Sequence, residues 1–158
     1  MRNRLPHVIV TLFVLPLLLV TTTAANAALS PDDRATIQQV RKETSDLLES
    51  IKSYGAAQRD DAIQEIEIAI IHLDNRIESL QTRIDEQWDD MTQPAREQAR
   101  KSLRELQQQR VKLAEWYGNL RGSSADAWDE IKRGFSRVYD NINNAWEKAL
   151  NEFSDPNR

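Results

Sequence analysis

The chain has 158 residues, no cysteine and a formal net charge of −4. Without cysteine it cannot form disulfides, thiolate metal sites or a cysteine nucleophile. No nucleic-acid partner is expected either, because an acidic chain lacks the basic face that contacts phosphates. Good helix formers are abundant after residue 27, and the whole chain has only four Gly and five Pro. This composition predicts an all-α fold.

Residues 1–27 have the layout of a secretory signal peptide. A basic start with Arg2 and Arg4 precedes an apolar run over residues 8–20, and the segment ends in an Ala-Asn-Ala tripeptide. The apolar run is short for a membrane span. We expect cleavage after Ala27 and a periplasmic or secreted protein; the alternative is an uncleaved membrane anchor.

The first predicted helix begins near Pro31 and ends or kinks at Gly55. Ser30 is a suitable N-cap, and Asp32 and Asp33 favour the positive end of the helix dipole. Apolar residues then recur at alternating spacings of three and four, which is a heptad repeat. This seam comprises Ile37, Val40, Leu47, Ile51 and Tyr54, with Thr44 in the remaining slot.

Two long helices are predicted next, over about residues 60–91 and 94–119; Pro94 places the break before it and begins the second helix. The first has four uninterrupted heptads, which is typical of a coiled coil. Its seam comprises Ile63, Ile66, Ile70, Leu73, Ile77, Leu80, Ile84 and Trp88. The seam of the second comprises Ala99, Leu103, Leu106, Leu113 and Tyr117, with Arg110 in one slot.

The two long helices carry opposite charge. Residues 60–91 hold ten acidic and two basic residues, a net charge of −8, and residues 92–123 hold three acidic and seven basic residues, a net charge of +4. Opposite charge selects the pairing, while the apolar seams stabilise it. The prediction is a long antiparallel coiled-coil hairpin with an N-terminal helix and a C-terminal amphipathic helix.

An acidic cluster lies near the end of the second predicted helix. It comprises Asp85, Glu86, Asp89 and Asp90. Its members pair at one-turn spacing, as ligands of a cation could, but no glycine-containing calcium loop accompanies them. The simpler interpretation is a solvated acidic end that is neutralised by Arg96, Arg100 and Lys101.

An enzymatic function is not predicted. His72 is the one histidine after residue 27. It lies beside the helix seam, where a structural role is expected rather than a metal site with Asp74 and Glu65. The sequence has no Gly-rich phosphate loop, no H-E-x-x-H motif and no nucleophile elbow. We therefore predict no catalytic residues, no metal and no cofactor.

A stripe of large apolar residues follows an 11-residue period through the last third of the chain. It comprises Tyr117, Leu120, Trp128, Ile131, Phe135, Tyr139, Ile142, Trp146, Leu150 and Phe153. A Gly- and Ser-rich segment over residues 118–124 predicts a hinge, followed by a helix from about Ala125 to Phe153. These ten residues, called the stripe below, are the candidate partner-binding or lipid-binding residues.

Three different surfaces could cover the stripe. The final helix could fold back on the hairpin and close a bundle, as aromatic residues at helical spacing most often do. Two or more chains could instead form a homo-oligomer, or the stripe could bind a lipid surface or an apolar envelope protein. The predicted division of the chain is a signal peptide (1–27), a coiled-coil domain (28–123) and an amphipathic aromatic helix (124–158).

The stripe region also carries a resemblance. Its segments Ala127-Trp128-Asp129-Glu130 and Ala145-Trp146-Glu147-Lys148 resemble those of small exported bacterial coiled-coil proteins of uncharacterised function. The 11-residue period is similar to that of exchangeable apolipoproteins. Leu29-Ser30-Pro31-Asp32-Asp33 and Met91-Thr92-Gln93-Pro94-Ala95 are similar to the L-T-x-x-Q motifs of periplasmic stress chaperones, but both lack Gln at the fifth position.

These resemblances and the signal peptide imply an exported structural or binding protein of the periplasm or cell envelope. The alternative is a chaperone-like or lipid-associated role in which the stripe makes the contact.

Overall fold

The computed structural model describes residues 31–153 of the chain. Within this range the chain forms four α-helices and no strand: α1 (Pro31–Ser53), α2 (Arg59–Glu86), α3 (Gln93–Arg121) and α4 (Trp128–Phe153). One-turn 3-10 helices precede and follow α2, at Ala56–Gln58 and Trp88–Asp90. The all-α prediction is confirmed for this range.

The predicted signal peptide lies outside the described residues. Among the helices of residues 31–153, none has an apolar stretch long enough to cross a membrane.

The predicted end of the second helix is wrong. α2 ends at Glu86 rather than near Met91, and the chain tightens into the 3-10 turn over Trp88–Asp90. The carboxylates of this segment lie at the negative end of the helix dipole, which disfavours further α-helix. Thr92 then caps α3 by accepting a hydrogen bond from the backbone N–H of Ala95 (3.4 Å).

The predicted start of the last helix and the predicted hinge are also displaced. α4 begins at Trp128 rather than near Ala125. The Ser124 hydroxyl accepts from the backbone N–H of Ala127 (3.4 Å), as a cap does, but residues 125–127 form a turn before the helix. Gly118 lies inside α3. The non-helical connection therefore spans residues 122–127.

One hydrophobic core draws on all four helices, and the predicted seams supply most of it. Its fully buried members include Ile51 of α1, Leu73 and Ile84 of α2, Leu106 and Leu113 of α3, and Phe135 and Ile142 of α4. α4 packs most extensively on α3 and next on α1, and α2 contacts all three other helices. Burial of each such side chain contributes about 1.5–3 kcal/mol, so α4 is an integral part of the core.

Charged side chains join the helices along their edges. Arg83 of α2 makes two hydrogen bonds with Asp33 of α1 (2.6 and 3.0 Å). Arg110, which occupies a seam slot of α3, makes two with Asp74 of α2 (2.5 and 2.8 Å). Hydrogen bonding to these carboxylates raises the pKa of Arg83 and of Arg110 above the ordinary value. Such bidentate pairs fix the relative position of neighbouring helices.

Candidate functional site

The stripe lies mainly inside the protein. Eight of its ten members are buried, and the other two, Tyr117 and Ile131, are half-buried. The buried members are Leu120, Trp128, Phe135, Tyr139, Ile142, Trp146, Leu150 and Phe153. The stripe is thus covered within the same chain. Its predicted role as a partner or lipid contact would require α4 to leave the bundle.

Buried donors of α4 satisfy backbone carbonyls at the C-terminal end of α1, including that of Tyr54, which directly follows the helix. The Trp128 indole N–H donates to the carbonyl of Tyr54 (3.1 Å). The Lys132 ammonium donates to the carbonyls of Lys52 (3.2 Å) and Tyr54 (2.7 Å) and pairs with Asp129 (3.2 Å). A helix C-terminus leaves carbonyls unsatisfied and carries partial negative charge, so it stabilises a cation. We call Tyr54, Trp128 and Lys132 the closed end.

Gly134 of α4 lies directly against the Trp116 ring of α3. A Cβ atom at position 134 would overlap this ring. The glycine therefore allows the indole to lie between α3 and α4. Sequence reasoning missed this contact.

A polar layer joins α1, α2 and α4 beside the core. Arg76 of α2 donates to Glu43 of α1 (2.7 Å) and to Asn143 of α4 (3.2 Å), and its carbonyl accepts from the Trp146 indole N–H (3.2 Å). Burial raises the pKa of the neighbouring Tyr139 phenol. Because buried polar groups need partners, this layer fixes the register of the three helices. It was not predicted.

An open groove of about 450 Å³ lies between α1 and α2, within the size range of small-molecule pockets. Its apolar lining comprises Leu47, Ile68, Ala69 and Tyr139. We call it the α1–α2 groove. His72, which was predicted to be a structural residue beside the seam, is exposed and lines this groove.

The acidic cluster between α2 and α3 is exposed, and two of the cations assigned to it make other contacts. Arg96 donates to the carbonyls of Trp88 (2.9 Å) and Asp89 (3.1 Å). The guanidinium groups of Arg96 and Arg100 lie over the Trp88 ring, 5.5 and 4.8 Å from its centroid. We call Trp88, Arg96 and Arg100 the tip. No group of three or more metal-ligating side chains comes together within residues 31–153.

No protein-family model, curated protein or solved structure matches the chain significantly. The geometry of the described residues is therefore the basis for assigning a function.

Proposed function

We propose that the chain is an exported, non-enzymatic helical protein with a structural or binding role in the periplasm or cell envelope. The burial of the stripe carries this proposal, because the chain covers its own most apolar face. A bundle that closes its own core keeps its outer surfaces available for other components. The signal-peptide layout of residues 1–27 supports the compartment.

In this proposal α2 and α3 form a long antiparallel coiled-coil hairpin. The side-chain contacts that support it are Arg59 to the carbonyl of Ser123 (2.6 Å), Glu67 with Tyr117, and Asp74 with Arg110 (2.5 Å). Residue numbers rise along α2 while those of the partners fall from Ser123, just after α3, to Arg110 within α3, as expected for antiparallel neighbours. The hairpin would form one long face of the bundle.

Tryptophan emission tests whether the stripe is covered in solution. The four tryptophans are at positions 88, 116, 128 and 146. We expect blue emission that lipid vesicles do not change, together with a monomeric mass by light scattering. Blue emission with an oligomeric mass would mean that a second chain shares the covering. Red emission that shifts to the blue with vesicles would contradict the closed bundle.

A triple substitution separates a core role from a docking role. Replacement of Trp128, Phe135 and Trp146 by Ser should unfold the protein, because all three side chains are buried. The control variant replaces Ile71 and Val111 by Ser as well. These side chains are 57% and 60% exposed, so this variant should remain folded. A folded triple variant that has lost vesicle binding would favour the alternative below. Unchanged stability with unchanged binding would contradict both functions.

The alternative is a chaperone-like or lipid-surface role in which α4 swings out of the bundle. α4 divides its apolar and polar faces more sharply than α1, α2 or α3, as helices that bind membrane surfaces do. The non-helical connection at residues 122–127 supplies a hinge for this movement.

A covalent link between α1 and α4 tests the alternative. The chain has no cysteine, so Arg41→Cys and Glu147→Cys can be joined by a short bismaleimide at the site of an α1–α4 ion pair. If α4 has to leave the bundle, this link should abolish vesicle binding. The matched control joins Asp140→Cys to Asn144→Cys within α4, which leaves α4 free to move. If both linked proteins bind vesicles equally well, binding does not require release of α4.

A further inference from the structure

The α1–α2 groove carries an apolar residue that the core does not require. Ile68 lines the groove and is 51% exposed, so about half of its surface loses the benefit of burial. Leu47 and Ala69 of the groove are partly buried, and Tyr139 is 2% exposed. The groove therefore offers an apolar lining that extends from a buried ring to an exposed rim.

The charged lining of the same groove is mainly negative. It comprises Glu43, Asp46, Glu65 and Arg76, three acids and one base, a net charge of −2 with His72 counted as neutral. Arg76 binds Glu43 (2.7 Å), so its charge is compensated by that neighbour. Asp46 likewise pairs with Lys42 (2.5 Å), so Glu65, whose hydrogen-bond donors are neutral hydroxyls, contributes most to the negative potential.

The contacts of Glu65 and Asp46 leave both carboxylates accessible to a ligand. Glu65 accepts hydrogen bonds from the hydroxyls of Ser50 (2.8 Å) and Tyr54 (2.6 Å), which orient the carboxylate without neutralising it. Asp46 pairs with Lys42, whose side chain is 71% exposed. Exposed ion pairs are weak and exchange readily with other cations. A second cation can therefore approach both carboxylates.

We propose that the α1–α2 groove binds an amphiphilic organic cation, meaning a cationic centre that carries apolar or aromatic groups. The apolar part covers Ile68 and Leu47 and removes their surface from water. The cationic centre lies beside Glu65 and Asp46. An anion of the same shape is repelled by these carboxylates, and a neutral molecule gains nothing from them.

Tyr139 connects this site to the packing of α4. Its ring belongs to the stripe and also lines the groove, so the groove is complete only while α4 is packed. A ligand of the groove should therefore stabilise the closed bundle by mass action. This inference is independent of the compartment and of the structural or binding role proposed above.

Two ions of the same shape and opposite charge test the site. Tetraphenylphosphonium is the cationic probe and tetraphenylborate is the anionic one, each titrated into the protein by calorimetry and by methyl NMR. We expect the cation to bind at least about tenfold more tightly, to shift the methyl signals of Ile68, Leu47 and Ala69, and to raise the Tm. Equal affinity for the two ions, no binding, or shifts confined to other methyl groups would overturn the proposal.

Ile68 and Ile71 provide a matched pair of variants. They are 51% and 57% exposed on the same helix, but Ile68 lines the groove and Ile71 does not. Ile68→Ser should weaken binding of the cation by about tenfold, and Ile71→Ser should leave it unchanged.

Asp46→Asn should weaken binding of the cation by about two- to fivefold, whereas Glu49→Gln, outside the groove on the same helix, should not. Equal losses in the two members of either pair would contradict the site. If a variant fails to fold, the NMR shifts of the unmodified protein still decide the question.

Discussion

The closed end and the tip each combine a tryptophan with a cation that donates to backbone carbonyls, but the two sites differ in burial. At the closed end, Trp128 and Lys132 are buried and donate to the carbonyl of Tyr54, the residue after α1. At the tip, Trp88 is half-buried and two arginines lie over its ring. The two sites lie near opposite ends of α2, and they differ in desolvation. A buried donor has to find an acceptor, whereas a surface cation keeps its water. Burial, not residue type, therefore determines how much each group stabilises the fold.

Removal of the tryptophan ring at the closed end and at the tip should give the largest difference in the free energy of unfolding. Trp128→Ala deletes a side chain that is 1% exposed, and the expected loss in the free energy of unfolding is about 3–5 kcal/mol. Trp88→Ala removes a half-buried ring, with an expected loss of about 1 kcal/mol. Urea unfolding followed by circular dichroism measures both values. Equal losses would show that burial of the ring does not distinguish the two ends.

The two helical glycines nearest the closed end should respond in opposite directions. Gly134→Ala introduces a Cβ atom that overlaps the Trp116 ring, and we expect a loss of about 2–3 kcal/mol from overpacking. Gly118→Ala is the matched control, because nothing lies within 4 Å of a Cβ atom there. Alanine should stabilise that part of α3 by about 0.5–1 kcal/mol.

Thermal unfolding measures the change in Tm for each glycine variant. We expect a fall for Gly134→Ala and a rise for Gly118→Ala. A rise in Tm for both would mean that Trp116 does not lie against Gly134 in solution.

The periodic part of this fold can be predicted from the sequence. Ile66, Leu73 and Ile84 are seam positions, and each is fully buried, because burial repeats with the period of the helix. The stripe is predictable for the same reason. The surface that covers it is not, since α4 could have packed on its own chain, on another chain or on a lipid.

Contacts that depend on how two helices cross cannot be predicted from the spacing of apolar residues along each helix. From the sequence alone, Gly134 is a residue that destabilises a helix interior. Its role becomes clear only from the structure, where the Trp116 ring lies against it. Lys132 does carry a signal, because it lies four residues after Trp128 and three before Phe135, on the apolar face. A cation there needs buried acceptors. Their identity is not predictable, since the carbonyl of Tyr54 is 78 residues away along the chain.

Removal of a cation at the closed end and at the tip should give a smaller difference in the free energy of unfolding than removal of the tryptophan rings. Lys132→Met keeps the apolar stem but leaves the carbonyls of Lys52 and Tyr54 with one donor fewer, and we expect a loss of about 1–2 kcal/mol. Arg96→Met should cost less than about 1 kcal/mol, because water can replace its hydrogen bonds at the exposed turn. Chemical unfolding measures both losses.

Hydrogen exchange localises the effect of the two cation substitutions. Lys132→Met should speed exchange in the last turn of α1, and Arg96→Met should not. Losses that are equal and small would indicate that the end of α1 is hydrated and not closed by α4.

Tyr139 lies between the closed end and the tip, and its phenol should make the stability of the fold depend on pH. Burial raises the pKa of its phenol above the ordinary value of 10.0. The unfolded chain therefore loses this proton at a lower pH than the folded protein does. Stability is full below pH 10 and falls as pH rises through the pKa of the folded state. Tyr139→Phe should lose less stability than the unmodified protein above pH 10, as measured by urea unfolding at stepwise increasing pH.

Tyr117→Phe is the control for the alkaline experiment, because the pKa of the half-buried Tyr117 is also raised. Tyr139 is almost fully buried, so Tyr139→Phe should change the alkaline slope more than Tyr117→Phe does. A Tyr139→Phe slope identical to that of the unmodified protein would place the Tyr139 hydroxyl in water. Because this ring also lines the open α1–α2 groove, that result would contradict the burial of the Tyr139 side chain, which is 2% exposed, without requiring that α4 has left the bundle.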